Sequence, residues 1–492
     1  MKSTKYIFLT LWAVAGCRAD FLDLQPNSQV STANFYQSAS DFRTAVNAAY
    51  ATLQTDALYG STYSHFTEVP ADNVGVQNPN GAGGIAQNEF DQFIVTPTNA
   101  SLLTFYTTSY TAIQRCNIVL GRIEPINMAS NLKNQFVGEV KFIRGLMFFN
   151  LVRFFGGVPL VLTEINRAEE GYVYSRATVE EVYKQIIADL SDAEAKLPIA
   201  YTGVDIGRAT QGAAKTLLGK VYLTQKNYTL AATKLKEVID LTSTSGRVYD
   251  LAPRYADNFD PAKSNNVGHK ESIFEVQYKS GGIGEGSPYN NSTAPPNGPL
   301  TITGIGNGNG VFMWPTVNAV NAYPANDPRK AANLDSARIN NQLQRYVKKY
   351  LHSTYGTVPF NQFDGDHNFP LLRFADVLLM YAEALNEVNN GPNTVAYESV
   401  NRVRRRAYNV TSSAFDLPTG LNKERFALAI EQERRLELAF EGHRWPDLVR
   451  TDRAIPVMTA LGFRVQPHML INPIPQAEID INPSKMTQNP GY

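Results

Sequence analysis

Residues 213–241 read AAKTLLGKVYLTQKNYTLAATKLKEVIDL, and their apolar side chains recur every three or four positions. That spacing predicts two helices joined by a short turn near Lys226-Asn227. Gly219 in the first helix and Ala231 in the second are small. Small residues allow two antiparallel helices to approach closely, so the stretch is interpreted as a tightly packed helical hairpin.

The same offsets recur in residues 381–407, YAEALNEVNNGPNTVAYESVNRVRRRA. The residues that take the places of Gly219, Ala231, Leu235 and Val238 are Ala384, Ala396, Val400 and Val403. Leu218-Gly219 followed by Tyr222 is typical of the first helix of a tetratricopeptide repeat, although other signature positions are missing. Two such units predict a mainly α fold, a tetratricopeptide-like scaffold of hairpins stacked on a shared core.

Helical periodicity also covers residues 41–58, 102–123, 136–156 and 178–197. Thr178 and Glu181 form a predicted capping box at the start of the last of these, and Pro198 ends it. We therefore predict an N-terminal helical repeat region over 41–242 and a C-terminal helical region over 366–492 that completes the same fold.

An irregular, loop-rich insertion is predicted over residues 243–365. Its segment 280–310 holds nine glycines and four prolines, which exclude a persistent helix. Short strands are predicted at 272–278 and 300–305. Ordered loops carried on a rigid scaffold often hold binding residues, so we expect the ligand face here.

The first residues have the pattern of an export signal. Lys2 and Lys5 precede an apolar run over 6–15, which is too short to span a bilayer. The run ends in Val-Ala-Gly-Cys at 14–17, which resembles the lipobox of bacterial lipoproteins. We predict a signal peptide over 1–16, lipidation of Cys17 and a tether and entry segment over 17–40; a simple cleaved signal or a chance cysteine are the alternatives.

The composition limits the function classes. The chain has 492 residues, 43% of them hydrophobic, and 45 basic residues balance 45 acidic ones. That balance argues against nucleic acid or an anionic membrane surface as the main partner. Cys116 is the second of two cysteines, so no disulfide framework is predicted.

The densest chemical string is ERRLELAFEGHRWPDLVR, residues 433–450. Glu433, Glu437 and Glu441 are four apart and are predicted to share one helix face. A zinc or di-iron helix needs histidines at spacings that Glu441 and His443 do not provide. Arg434 and Arg444, each three residues from a glutamate, offer matched charges, and the preceding hairpin supplies Arg402, Arg404, Arg405 and Arg406. We interpret the glutamates as a structural ion-pair ladder.

Other candidate sites are weaker. Asp364 and Asp366 could hold calcium, but no later glutamate completes the ligand set, and a polar turn before a helix at Phe369 is the simpler interpretation. The string GIGNGNG (304–310) lacks the lysine and the context of a phosphate loop. We find no nucleophile motif and no carboxylate pair for glycoside hydrolysis. The sequence predicts a protein that is not an enzyme and needs no cofactor.

Several segments together resemble the RagB/SusD family of surface lipoproteins from Bacteroidota. They are Cys17 with DFLDLQP (20–26), YPANDPRK (323–330), NFPLLRFADVLLMYAEALNEV (368–388), NRVRRRAY (401–408), IEQERRLELAFEGHRWPDLVR (430–450) and INPIPQAEIDINPSKMTQNPGY (471–492). Family members often place a tryptophan near the start of the helix at 102–123, where this chain has Phe105-Tyr106. The resemblance implies a lipid anchor in the outer leaflet of the outer membrane, facing outward. It also implies an oligosaccharide ligand and a TonB-dependent, SusC-like β-barrel as partner.

A sugar site should combine flat aromatic rings with polar side chains on loops. Two stretches fit: 59–73 with the polar loop 75–92, and the glycine-rich insertion. Trp314 is our leading candidate for ligand contact, with a buried anchor as the alternative. The other candidates are Tyr59, Tyr63, Tyr289, Asn290 and Phe312.

The function expected from these observations is a glycan-binding surface lipoprotein that takes part in polysaccharide utilisation and nutrient uptake. Two alternatives stay open: a lid or scaffold subunit that handles peptides or binds no ligand itself, and a secreted glycan-degrading enzyme.

Overall fold

The two helices predicted from residues 213–241 are present in the computed structural model, which describes residues 35–77, 79–81, 84–264, 269–299, 302, 313–351 and 363–492. Helix α8 (Gln211–Thr224) is capped by Thr210, and helix α9 (Tyr228–Ile239) is capped by Asn227. A Cβ atom on Gly219 would lie 2.8 Å from the Leu235 side chain. The close approach predicted for this hairpin is confirmed.

The scaffold extends this hairpin in both directions. The first helix α1 (Ala39–Leu53) packs on α4 (Ala100–Arg122), and α4 packs on α5 (Ser130–Phe155). Helix α5 packs on α7 (Val179–Lys196), and α7 packs on α8. The predicted capping box of Thr178 and Glu181 is present at the start of α7.

The second predicted hairpin lies directly against the first. Helix α9 packs on α14 (Phe374–Val388), which packs in turn on α15 (Thr394–Ala407) and α16 (Lys423–Glu437). The mainly α, stacked-hairpin fold is therefore confirmed.

The remaining α-helices of the described residues are shorter. They are α2 (Tyr63–Thr67), α3 (Gly84–Asp91), α6 (Ala168–Gly171), α10 (Pro261–Ser264), α11 (Tyr289–Ser292), α12 (Val317–Ala322), α13 (Pro328–Asn333), α17 (Arg444–Arg450), α18 (Ala454–Ala460) and α19 (Gln476–Ile481).

The strands are short and pair in twos. They are β1 (Val74–Gly75), β2 (Thr242–Ser243), β3 (Gly246–Arg247), β4 (Ser272–Val276), β5 (Trp314–Pro315), β6 (Leu334–Ile339), β7 (Gln342–Val347) and β8 (Phe369–Arg373). The antiparallel pairs are β1 with β5, β2 with β3, β4 with β8 and β6 with β7. Asn340 and Asn341 both have positive φ, which suits the tight turn between β6 and β7.

The strand predicted at 272–278 is confirmed by β4, whereas most of 300–305 lies outside the described residues. The predicted first residue of the next helix, Phe369, is wrong. Residues 369–373 instead form β8, which is buried throughout, and α14 begins at Phe374. Pairing with β4 gives this segment backbone partners that sequence periodicity does not reveal.

The predicted signal peptide, Cys17 and the start of the tether also lie outside the described residues. Within the described part of the chain, no helix combines the length and apolar character needed to cross a membrane.

Candidate functional site

The glutamates of the 433–450 string are buried inside a network of ion pairs. Arg329 Nη1 donates to Glu433 Oε1 at 2.5 Å and to Glu437 Oε2 at 3.1 Å. Lys349 Nζ donates to Glu441 Oε1 at 2.6 Å. The predicted pairing of these glutamates with cations is confirmed, and Arg329 and Lys349 come from distant segments of the chain.

Arg404 and Arg406 of the preceding hairpin pair with Glu433 and Glu437 as predicted, whereas the predicted partners within residues 433–450 are wrong. Arg434 pairs with Asp376 and Asp447, and Arg444 pairs with Asp72. Glu441 is not on the helix face either, because α16 ends at Glu437 and a turn with positive φ at Phe440 and Gly442 follows. The glutamates thus join several segments together rather than forming a ladder along one helix.

The electrostatics of the network suit a structural role. Burial alone would raise the pKa of Glu437, but Arg406, Arg373 and Arg329 outweigh burial and lower the pKa to about 2. Glu437 is therefore ionised and surrounded by guanidinium groups. A carboxylate held in this way is a poor general acid or base.

Four of the predicted ligand residues lie in the core: Tyr59, Tyr63, Tyr289 and Asn290 are all buried. The Tyr289 hydroxyl donates to the Tyr59 carbonyl oxygen at 2.6 Å, and its ring stacks on Phe369 with centroids 4.9 Å apart. The expectation that these side chains are exposed on loops is wrong. Their rings and hydroxyls find partners inside the protein. Phe312 lies outside the described residues.

Among the predicted ligand residues that the structure describes, Trp314 is the one that retains contact with solvent. It is half-buried in β5 and pairs with Gly75 of β1. Val74 and Pro315, the other pair of this ladder, are buried. Because side chains alternate across a strand, the Trp314 side chain lies on the outer face of the ladder.

This pairing brings together the two stretches in which the sequence predicted sugar contacts. The Thr316 backbone N–H donates to the Asn73 carbonyl at 3.0 Å, and the Thr316 hydroxyl donates to the Asp72 carbonyl at 2.7 Å. The loop after Tyr59 and the end of the glycine-rich insertion therefore meet at Trp314.

Gly75 leaves space beside the tryptophan ring. Residues opposite each other in an antiparallel ladder share one face, and here the partner of Trp314 has no side chain. A Cβ atom on Gly75 would lie 3.8 Å from Asp91 Oδ1, so the Asp91 carboxylate lies on the same face as Trp314. Gln92 donates to Asp91 Oδ2 at 2.5 Å and is itself exposed. Together these residues form what we call the Trp314 surface: Gly75, Asp91, Gln92 and Trp314.

Hydrogen bonds from two arginines of the scaffold hold the backbone next to the Trp314 surface in place. Arg435 of α16 donates through Nε to Asn73 Oδ1 at 2.9 Å and also bonds to Asn318. Arg345 of β7 donates to the Pro315 carbonyl at 3.1 Å. A platform held in place before its ligand arrives loses less conformational entropy on binding.

The Trp314 surface combines a carboxylate, an amide and a flat aromatic ring. Burial raises the pKa of the half-buried Asp91 carboxyl. An acceptor in that environment forms stronger hydrogen bonds with ligand hydroxyls than one in bulk water. The tryptophan ring offers a flat apolar face beside it.

Gly75 and Asp91 lie in the loop 75–92 that the sequence predicted near a sugar site, but they were not singled out as contact residues. The available signal was an isolated glycine between Val74 and Val76, since a glycine in a strand often marks close backbone or ligand approach.

The Asp364 carboxylate, considered for calcium, accepts the backbone N–H groups of Gly281 and Gly282 at 3.0 and 2.8 Å. The calcium alternative stays a prediction.

Comparison with known proteins agrees with this architecture. The family model described as "SusD family" matches residues 328–492, and the model described as "Starch-binding associating with outer membrane" matches residues 20–223. The two matches do not overlap and together take in most of the chain. The chain belongs to the SusD family.

Similarity to individual SusD-like proteins extends over almost the whole chain. SusD-like protein P2 of Formosa agariphila is 28% identical, with all of both chains covered. A SusD-like protein of Bacteroides ovatus is 26% identical over 93% of this chain and 84% of the relative.

Solved SusD structures have the same fold. A laminarin-binding SusD-like protein has a TM-score of 0.78 and 27% identity, covering 93% of this chain and 100% of its own. A SusD homolog from Bacteroides thetaiotaomicron has a TM-score of 0.81 and 24% identity, covering 94% and 99%. The predicted family and its fold are thereby confirmed.

Proposed function

We propose that this protein is a surface lipoprotein of the outer membrane, anchored through Cys17, that captures an oligosaccharide at the Trp314 surface. It delivers the captured glycan to a TonB-dependent, SusC-like β-barrel transporter. The observation that supports ligand capture most directly is the pairing of Trp314 with Gly75, which leaves the tryptophan uncovered on that side next to the Asp91 carboxylate.

Binding at this surface follows from the shape of a sugar. One face of a pyranose ring carries C–H groups, which pack on the flat indole of Trp314. Hydroxyl groups at the rim of the sugar donate to Asp91 and exchange hydrogen bonds with the Gln92 amide. Affinity then depends on a preformed platform and needs no bond-breaking step.

The family points to glucans as the first ligands to test. One matching family model is described as starch-binding, and one similar solved protein binds laminarin. Both glycans are glucose polymers with different linkages. A panel of oligosaccharides from both sources therefore tests the ligand class and the linkage together.

The experiment is calorimetric titration of the soluble chain from residue 18 with this panel. We expect binding to at least one oligosaccharide, a loss of tenfold or more in affinity for Trp314→Ala, and an unchanged melting temperature. Tyr408→Ala is a matched control, because its half-buried ring stacks on Phe415, away from the Trp314 surface. Equal affinity of Trp314→Ala and native protein would contradict the proposed site.

Two other results would contradict the proposed function as a whole. One is no binding across the panel while association with a barrel transporter persists, which is expected of a scaffold subunit. The other is hydrolysis of the glycan that one carboxylate substitution abolishes, which is expected of an enzyme. Delivery is tested by isolating the tagged lipoprotein from outer membranes and identifying a stoichiometric TonB-dependent barrel by mass spectrometry.

A further inference from the structure

A second cleft lies along helix α4 and shares no lining residue with the Trp314 surface. It has a volume of about 490 Å³ and is bounded by α4, the segment after Pro159 and α19. Its walls carry four tyrosine rings, at Tyr106, Tyr110, Tyr172 and Tyr174. Aliphatic side chains such as Val161, Ile165 and Ile481 share the remaining wall with a few polar ones, so the cleft combines an aromatic and apolar surface with hydrogen-bonding groups.

The rim of this tyrosine cleft exposes apolar side chains to solvent. Tyr172 is 49% exposed, the adjacent Val173 is 67% exposed, and Ile481 of α19 is 60% exposed. Tyr172 and α19 are joined, since Asn482 Nδ2 donates to the Tyr172 carbonyl at 2.9 Å. A contiguous apolar rim around an aromatic cleft is typical of a surface that another chain segment covers.

The amino-terminal end of the described chain lies close to this cleft. The Arg122 guanidinium lies 4.9 Å from the Tyr36 ring centroid and donates through Nε to Glu164 Oε2 at 2.8 Å. The next residue, Ile165, lines the cleft, and its carbonyl accepts from Gln114 Nε2 at 2.7 Å. Arg122 and Gln114 are on the same helix, roughly 12 Å apart at 1.5 Å per residue. Tyr36 therefore lies about two helical turns from the cleft.

The residues that precede the described chain include an apolar group of suitable size. Residues 18–34 read RADFLDLQPNSQVSTAN, with Phe21, Leu22 and Leu24 close together. An extended chain advances about 3.3 Å per residue, so the stretch from Leu24 to Phe35 spans on the order of 35 Å. That reach comfortably exceeds the distance from Tyr36 to the cleft.

We propose that residues 21–24 dock in the tyrosine cleft and cover its exposed rim. Phe21 packs among the tyrosine rings, and the leucines cover Tyr172 and Ile481. The cleft also offers a hydrogen-bond acceptor for the backbone of an extended segment. Glu478 is the one charged residue among the described residues of the lining, and it has no ion-pair partner in the described part of the chain. Its carboxylate is available to accept backbone N–H groups of the docked segment.

This contact would determine how the protein is oriented at the membrane. If Cys17 carries the lipid, as the proposed function holds, docking at Phe21 leaves a tether of only a few residues. The tyrosine cleft then faces the membrane. The docking itself does not depend on glycan binding, so the two proposals fail independently.

The test is site-specific photo-crosslinking in the full soluble chain from residue 18, with p-benzoylphenylalanine in place of Phe21. We expect an intramolecular crosslink to the peptides holding residues 106–114, 159–174 or 476–486, at a yield independent of protein concentration. Ile481→Asp, at an exposed position, should lower the yield at least fivefold. Leu343→Asp, on the exposed hairpin of β6 and β7, is the matched control and should leave it unchanged.

Three outcomes would overturn the proposal. They are crosslinks to other parts of the same chain, crosslinks only between two molecules, and no crosslink above the level of a denatured sample. None of these outcomes affects glycan titration at the Trp314 surface, which is measured on the same preparation.

Discussion

Arg373 and Glu441 form a bidentate ion pair that is closed off from water. The Arg373 Nε lies 2.7 Å from Glu441 Oε2, and its Nη2 lies 2.9 Å from Oε1. The pair joins strand β8 to the turn after helix α16. Arg373 also donates to Glu271 and Glu437, so one guanidinium holds three segments of the chain together.

Arg373→Ala should be strongly destabilising. It leaves three buried carboxylates short of a cation, and removing one partner of a buried pair typically costs about 3–5 kcal/mol. Urea unfolding at neutral pH measures the loss in the free energy of unfolding. Arg425→Ala, at an exposed position of α16, is the control and should change it by less than about 0.5 kcal/mol. Similar stabilities of the two variants would mean that the network contributes little.

Glu68→Gln should make stability less dependent on pH. Burial raises the pKa of Glu68 to about 8 from the usual 4.5. Between these values the unfolded chain ionises Glu68 while the folded chain retains the proton. Stability from this group is therefore present at low pH and is lost as pH rises towards 8. Relative to native protein, the free energy of unfolding of the variant should rise by up to about 1.4 kcal/mol per pH unit in that range. Above that range the difference should stay constant.

The measurement is urea unfolding of both proteins at several pH values between about 5 and 9. In the Glu68→Gln variant, the new amide oxygen can still accept the Gly442 N–H, which donates to Glu68 Oε1 at 2.7 Å in the native protein. Glu424→Gln, on the exposed face of α16, controls for simple loss of charge. A stability difference that stays constant with pH would show that Glu68 ionises normally in the folded state.

The helical scaffold could be predicted because its signals are local. Apolar spacing predicted both ends of α4 and the end of α5 to within two residues, although it missed the first turns of α5. The Thr178 capping box was predicted from two residues three apart. Caps and amphipathic faces depend on neighbours along the chain. Such features are present in the sequence before the chain folds.

The partners of the buried glutamates could be predicted only in part, because sequence spacing shows only neighbours that are close along the chain. Glu433 bonds to Arg329, which lies 104 positions away, and also to Arg404 on α15. The sequence correctly indicated that cations surround these glutamates. It also indicated arginines of the preceding hairpin, such as Arg404, but it could not indicate Arg329 and Lys349 of the insertion.

The candidate site was predicted in part for the same reason. Aromatic residues in polar loops marked both Trp314 and Tyr289, and nothing in their local sequence separates an exposed ring from a buried one. Tyr289 is buried against Phe369, a residue of the β4–β8 pair. Trp314 stays half-exposed because β5 pairs with a strand whose matching residue is Gly75. Both outcomes depend on strand pairing between distant segments.

Gly75→Val should weaken glycan binding without lowering stability. The new side chain would occupy the space beside Trp314, while its Cβ atom would lie at ordinary contact distances of 3.7 Å from Thr316 and 3.8 Å from Asp91. We expect at least a fivefold loss of affinity in calorimetric titration and a melting temperature within about 2 °C of native protein. Val74→Ala is the opposite control, since Val74 is buried and its truncation should lower stability more than affinity. Unchanged affinity of Gly75→Val would place the ligand elsewhere.

Cys17→Ala should release the protein from the membrane. If Cys17 carries acyl chains, each buried CH₂ contributes about 0.8 kcal/mol to anchoring, and the variant loses all of that contribution. Fractionation of cells expressing each form, followed by immunoblotting, should show the native protein with outer membranes and the variant in soluble fractions. Cys116→Ala is the matched control, because Cys116 is buried in α4 and should change stability slightly and location not at all. A Cys17→Ala protein that stays with the outer membrane after a high-salt wash would contradict lipid anchoring at this residue.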